Sequence, residues 1–156
     1  MDLSNLQAEL VKYGTLLVQK YKAQLKIDGT QATGDTEKSL NYVVGTAELE
    51  ILADRSIKFI DESRGAGGNP PISRILEWMR AKRIKPSSNN KKISEWFIAK
   101  RISETIGEKG TIKRFGYKGS GIIDFVYLNQ KDEMLNNIFA AYGRDVQEEL
   151  NKIANT

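Results

Sequence analysis

The sequence predicts an α+β domain: a long N-terminal helix, a small antiparallel sheet of three to four strands, then further helices and a C-terminal helix. Three observations predict it. Leu6, Leu10, Leu17, Tyr21 and Leu25 recur three, four or seven residues apart, on one helical face. Short β-type runs separated by turn residues follow between Leu40 and Ile60. Beyond Pro71 the apolar spacing returns to that of helices.

The first helix can be capped by Ser4; Val18 widens its stripe, Gly14 weakens it locally, and Asp28-Gly29 stops it. Thr30 to Thr36 is a polar turn segment with a turn signal at Gly34-Asp35. Leu40 to Val44 reads as the first strand. In the second, Leu49, Ile51 and Ala53 alternate with Glu48, Glu50 and Asp54. Ile57 to Ile60 reads as the third. Gly45-Thr46 and Asp54-Arg55 suit tight hairpin turns.

Arg64 to Asn69 is mostly Gly and Ala, and Pro70-Pro71 then opens a helix with Ile72, Ile75, Leu76 and Met79 inward. A proline pair is tolerated at a helix start, where the missing N–H would have no partner anyway. Residues 63–71 therefore read as an extended arm between a sheet edge and a helix. Lys85 to Lys92 is a polar connector, expected to be mobile at Ser87 to Asn90. The next helix, Ile93 to Ile106, can be capped by Ser94, carries Ile93, Phe97, Ile102 and Ile106 inward, and ends at Gly107. Gly110 to Gly121 is glycine-rich and basic. Ile122 to Leu128 fits a strand or a buried helix start. Residues 131–154 form the last helix, with Leu135, Ile138, Tyr142, Val146, Leu150 and Ile153 as its stripe and Gly143 as an interruption. No repeat or boundary divides residues 1–156, so one domain is expected.

Composition narrows the chemistry. The chain has no Cys and no His, so it lacks thiolate metal sites, disulfides and the commonest general base. No nucleophile–base pair is legible, no cofactor is implied, and no enzyme activity is expected. No apolar run approaches the ~18 residues that span a bilayer, and no basic start precedes an apolar core; a cytosolic site of synthesis without membrane contact is expected. The net charge of +4 is uneven: Arg74 to Lys118 holds 13 Lys and Arg against 4 Asp and Glu, a net of +9, and the rest of the chain nets −5. Such a region is either a solvated surface or a face for an anionic partner.

Several local patterns weigh toward bland readings. Gly65 to Gly68 lacks the Gly-Lys-Ser/Thr ending of a phosphate loop and precedes prolines rather than amides. Gly116-Tyr117-Lys118-Gly119 matches the GXXG loop used on RNA, without a clean flanking helix pair. Asp124-Phe125-Val126-Tyr127 touches the aromatic end of an RNA-recognition motif but lacks its glycines. Trp78 and Trp96 could stack on bases, but helical spacing favours packing. Glu48, Glu50 and Asp54 would be exposed as metal ligands.

The order of pieces from Thr33 to Ile106 resembles the tail-completion and tail-component (virion-morphogenesis) proteins of the neck of tailed bacteriophages. The resemblance rests on Thr33-Gly34-Asp35-Thr36-Glu37-Lys38-Ser39-Leu40, then Phe59-Ile60-Asp61-Glu62-Ser63-Arg64-Gly65. Ile75-Leu76-Glu77-Trp78-Met79-Arg80-Ala81-Lys82, Ile98-Ala99-Lys100-Arg101-Ile102 and Gly110-Thr111 complete it. The family's usual Glu-x-Gly-Thr after the aromatic strand is Glu62-Ser63-Arg64-Gly65 here, and the chain after Gly121 does not align.

The resemblance implies a small antiparallel sheet packed on the long helix. It also implies a structural ring subunit of the head–tail connector, in a six- or twelvefold homo-oligomer around the DNA channel. Its neighbours would be the adjacent neck, portal or tail proteins, its location the virion, and its place of assembly the host bacterial cytoplasm. Arg64, Gly65, Ala66, Gly67, Gly68, Asn69, Pro70 and Pro71 would be the assembly arm, with Phe59 and Trp78 as packing anchors at its base. Arg80, Lys82, Arg83, Lys85, Lys91 and Lys92 would be the basic patch facing genomic DNA, through non-specific backbone contact. The alternative is a free nucleic-acid-binding module using residues 74–118 with Trp78, Trp96 and Tyr117.

Overall fold

The computed structural model describes residues 2–29, 34–86 and 93–155, and for 112–115 the backbone alone. The turn residues Thr30 to Thr33, the connector Ser87 to Asn90, and Lys91 and Lys92 lie outside the described residues. The chain is mostly helical and contains one two-stranded antiparallel sheet among the described residues. It packs as two compact units.

The first unit holds residues 1–27, 37–54 and 122–156. Helix α1 (Ser4–Ile27) runs antiparallel to α6 (Ile122–Ala154), and three polar ties set their register. The Asp145 carboxylate accepts from the Leu6 N–H at 2.9 Å and from the Asn5 N–H at 3.0 Å. Asn137 Nδ2 donates to the Tyr13 hydroxyl at 2.6 Å, and the Tyr21 hydroxyl donates to Ile123 O at 3.1 Å. Between them α1 buries Leu6, Leu10, Leu17 and Leu25, as its spacing predicts. Asp145 comes from the far end of the chain, yet it caps α1: a carboxylate beside the free N–H groups of a first turn satisfies them and suits the helix dipole.

Strands β1 (Asn41–Val44) and β2 (Leu49–Leu52) form a hairpin in the register Tyr42↔Ile51 and Val44↔Leu49. Those four side chains are half-buried, while Val43 and Glu50 face outward. The turn 45–48 is closed by the Gly45 N–H on Glu48 O at 2.9 Å. The hairpin lies on α1, and Gly14 is its seat: a Cβ there would stand 2.7–2.8 Å from Tyr42 ring carbons. The Tyr42 hydroxyl meets Thr15 Oγ1 at 3.0 Å.

Two expectations for this unit change. The sheet has two strands rather than three or four. The last helix begins at Ile122 and runs 33 residues through Gly143 without a break. Gly143 has open space around it, so its lost propensity is tolerated in a helix held by packing elsewhere along its length.

The second unit holds residues 28–36 and 55–121. Between the two in sequence lies the short helix α2 (Asp35–Ser39). The expected third strand is helix α3 (Ser56–Glu62). Alternation would put Ile57 and Phe59 on one face; instead Ile57 and Ile60, three apart, are the half-buried pair, and Phe59 is exposed. Asp54-Arg55 consequently leads into a helix instead of closing a hairpin. The α3 C-terminus is satisfied by the loop after α5: Ser120 N–H donates to Ile60 O at 2.9 Å and Gly121 N–H to Asp61 O at 3.1 Å.

Helix α4 (Ile72–Ala81) starts after Pro71 and packs on α5 (Glu95–Phe115) through Ile75, Met79, Ala99 and Ile106, with Ile72, Leu76, Ile84, Ile98 and Ile102 around them. Ser94 caps α5, accepting the Phe97 N–H at 3.2 Å. The inward face of α5 is set by Ala99, Ile102 and Ile106; Ile93 and Phe97, expected inside, are exposed. Gly107 does not end α5. The helical path breaks at Gly110, at φ 67° and ψ −175°.

Candidate functional site

The glycine-rich segment is docked on its own subunit, in the break of α5. In an unbroken helix the Thr111 N–H would bond to Gly107 O four residues back. At the break the Thr111 N–H bonds to Arg64 O at 2.8 Å, and Gly107 O accepts the Gly67 N–H at 2.7 Å. The arm thus supplies the donor and the acceptor that the break leaves open, which accounts for two backbone groups that burial would otherwise penalise.

Side chains extend the contact. The Arg64 N–H donates to Thr111 Oγ1 at 3.0 Å, and the Ser103 hydroxyl donates to Pro70 O at 2.6 Å. The Arg64 guanidinium donates to Gly68 O, bracing the loop across its width, and lies 5.0 Å from the centre of the Phe59 ring.

The receiving groove requires glycine at Gly110, where a Cβ would come within 2.7 Å of the Gly65 backbone carbon; one on Gly107 would displace the Asn69 side chain and stand 3.2 Å from Gly67 O. Ser103, Gly107 and Gly110 recur at helical spacing, so the groove was open to reading as a stripe of small residues on α5. What pointed away from it was the reading of Gly107 as a helix end. The outer edge of the arm, residues 65–69, remains exposed.

The two expected packing anchors are both partly exposed. Phe59 sits against Arg64 at the start of the arm and is 43% exposed. Trp78 lies on α4 at 36% exposure, off the face that buries Ile75 and Met79.

The basic residues follow the α4 terminus. Ile84 N–H bonds to Met79 O at 2.8 Å and Arg83 N–H to Arg80 O at 3.0 Å, the two bonds of a Schellman motif. Ile84 then joins the core beside Met79. The motif needs a left-handed residue at Arg83, where φ is 54°, a place usually held by glycine. Arg80, Lys82, Arg83 and Lys85 are all exposed. Part of the charge is met locally: Arg80 lies 3.9 Å from Glu95, and Arg74 lies 3.0 Å from Glu77 and 3.4 Å from Asp35. Exposed pairs like these contribute about 0–1 kcal/mol each.

Trp96 is exposed on the first turn of α5, with Lys100 Nζ 5.5 Å from its ring centre. Tyr117 is committed elsewhere: its hydroxyl donates to Ile60 O at the α3 terminus, and burial pushes its phenol above the usual value. Gly119 packs on Asp61, so the GXXG segment serves as the α3 cap. Among the described residues, no group of three or more acidic side chains gathers as a metal site, and no helix is long and apolar enough to cross a membrane. No family model, curated protein or solved structure matches the chain.

Proposed function

We propose that this chain is a structural ring subunit of the head–tail connector of a tailed bacteriophage, a tail-completion or adaptor protein with no catalytic role. It would join the portal or head-completion layer to the tail around the DNA channel. The observation that carries the reading is the antiparallel hairpin seated on the long α1, with the glycine arm and the Pro-Pro helix further along the chain; helix α3 stands where the resembled family has an aromatic strand. The exposed outer edge of residues 65–69 is the surface offered to a neighbour, and Arg80, Lys82, Arg83 and Lys85 are the cations offered to DNA.

The test is particle mass and negative-stain imaging of the full chain, alone and with candidate portal and tail neighbours. Closed rings of six or twelve copies with a central opening are expected. A chain that stays below six copies in every mixture would overturn the assignment.

A second reading, a free nucleic-acid-binding module, is favoured by Trp96 and Trp78 standing exposed beside the basic segment. It requires tight binding by the isolated chain with a steep loss of affinity as salt rises. Charge reversal at Lys82 and Arg83 would abolish that binding, but would only perturb a ring.

A further inference from the structure

Helix α6 carries two apolar faces, and only one is covered. Ile122, Val126, Met134 and Ala141 are buried, and α1 packs along the helix. Leu128, Phe139, Tyr142, Leu150 and Ile153 lie on another face, between 44% and 68% exposed. At about 200 Å² for a large side chain, they leave roughly 600 Å² of apolar surface in one stripe, the upper range for a monomer's largest patch.

Three pairs along the stripe are arranged as a palindrome. Leu128 pairs with Ile153, Leu135 with Val146, and Phe139 with Tyr142, each about the same midpoint between Ala140 and Ala141. Lys131 and Glu149 are eighteen residues apart, five full helical turns, so both stand on one edge of the stripe. They are centred on Ala140, within half a residue of the same midpoint. A two-fold axis through that point, perpendicular to the helix, lays Leu128, Leu135 and Phe139 on Ile153, Val146 and Tyr142 of a second, antiparallel copy, while Leu150 falls on Lys131. The same operation puts Lys131 of each copy beside Glu149 of the other. Asp132 is level with Glu149 of the copy but stands on the opposite edge, one residue from Leu150 of the copy. In the isolated subunit Glu149 pairs with Lys152, at 3.4 Å on the surface.

We infer that two copies of this chain associate through α6, antiparallel and isologous, about a two-fold axis between Ala140 and Ala141. Self-complementarity of one patch is the requirement for a two-fold contact. Two copies of the stripe bury roughly 1,200 Å², the lower end of stable interfaces, so a concentration-dependent dimer is expected. The inference stands on α6 alone and does not rest on the connector assignment.

The chain has no cysteine, so placed thiols report cleanly. Leu135→Cys and Val146→Cys variants of the full chain are mixed and oxidised. The mixture is expected to cross-link, while each variant alone does not: two copies of position 135 would lie about 16 Å apart along the axis, beyond disulfide reach. Light scattering of the wild type should show dimers at tens of micromolar. Lys131→Glu, on the helix surface, should weaken them about tenfold, and adding Glu149→Lys should restore them. Circular dichroism of each variant reports retained folding. A monomer at all concentrations with no cross-link, self-linking of Leu135→Cys as fast as the mixture, or no rescue by the charge swap would each overturn the inference. Because the cross-link reads the α6 contact itself, larger rings in the same sample bear only on the connector assignment.

Discussion

The docked arm makes Gly110→Ala the most informative single substitution. Two effects add. Gly110 sits at φ 67° and ψ −175°, a region held almost only by glycine, so any side chain there costs about 1–3 kcal/mol. The new Cβ would also stand 2.7 Å from Gly65 C and press on Arg64 O, and both are backbone. The arm must move, breaking the Thr111 N–H bond to Arg64 O and the Arg64 N–H bond to Thr111 Oγ1. Each is worth about 1 kcal/mol. The total is about 3–5 kcal/mol, a large part of the ~5–15 kcal/mol that holds a domain together.

Gly116→Ala is the matched control: Gly116 is also left-handed, at φ 69°, but has nothing within 4 Å of a Cβ. It should cost only the conformational part, about 1 kcal/mol. Urea unfolding followed by far-ultraviolet circular dichroism measures both variants. Hydrogen exchange should show the Gly67 and Thr111 amides unprotected in Gly110→Ala alone. Equal losses in the two variants, with both amides still protected, would refute the docking argument.

Three further outcomes are expected. Arg83→Gly relieves the left-handed strain in the α4 cap and should raise stability by about 1 kcal/mol in the same unfolding assay, while removing one exposed cation. Gly14→Ala overfills the seat of the Tyr42 ring and should cost about 1–3 kcal/mol, read as a lower melting temperature with the hairpin amides losing protection. Burial opposes ionisation of Asp145, but donors from Leu6 and Asn5, aided by Arg144, outweigh it and hold the carboxyl below its ordinary 3.8. A depressed folded value means stabilisation that is full above the unfolded value and lost as pH falls through the folded one. The melting temperature should therefore drop below about pH 4, and Asp145→Asn should flatten that slope.

What could be read from the sequence depended on how many residues defined each period. Leu6 to Leu25 repeats often enough to specify α1 and its buried face, and alternation from Leu49 to Ala53 specifies β2. Ile57 to Ile60 holds three apolar residues in four, which fits period two and period three equally. The deciding partners, Ser120 and Gly121, lie some sixty residues downstream. On α6 the conspicuous stripe, Leu135 to Ile153, reads as core, whereas the face packed on α1 uses Ala141 and Asp145, a small and a charged residue that a search for hydrophobic periodicity passes over. The arm was legible as glycine, but its docking was not. Its receptor exists only because α5 breaks at Gly110, and a break creates partners that no local pattern announces.

The same break constrains how the arm could take part in assembly. Withdrawing it leaves Gly107 O and the Thr111 N–H without their partners and gives up the Ser103 bond to Pro70 O. That amounts to several kcal/mol unless something refills the groove. An unlike protein layer has no reason to present a glycine backbone of the same shape. A second copy of the arm fits by construction, so exchange between copies would conserve every bond that release breaks. Within the connector reading, contacts between layers should therefore use the exposed outer edge of residues 65–69 with the arm still docked. Protection of the Gly67 amide separates the cases: retained protection in a complex with another neck protein fits the docked arm, and its loss there would show that the partner pulls the arm out.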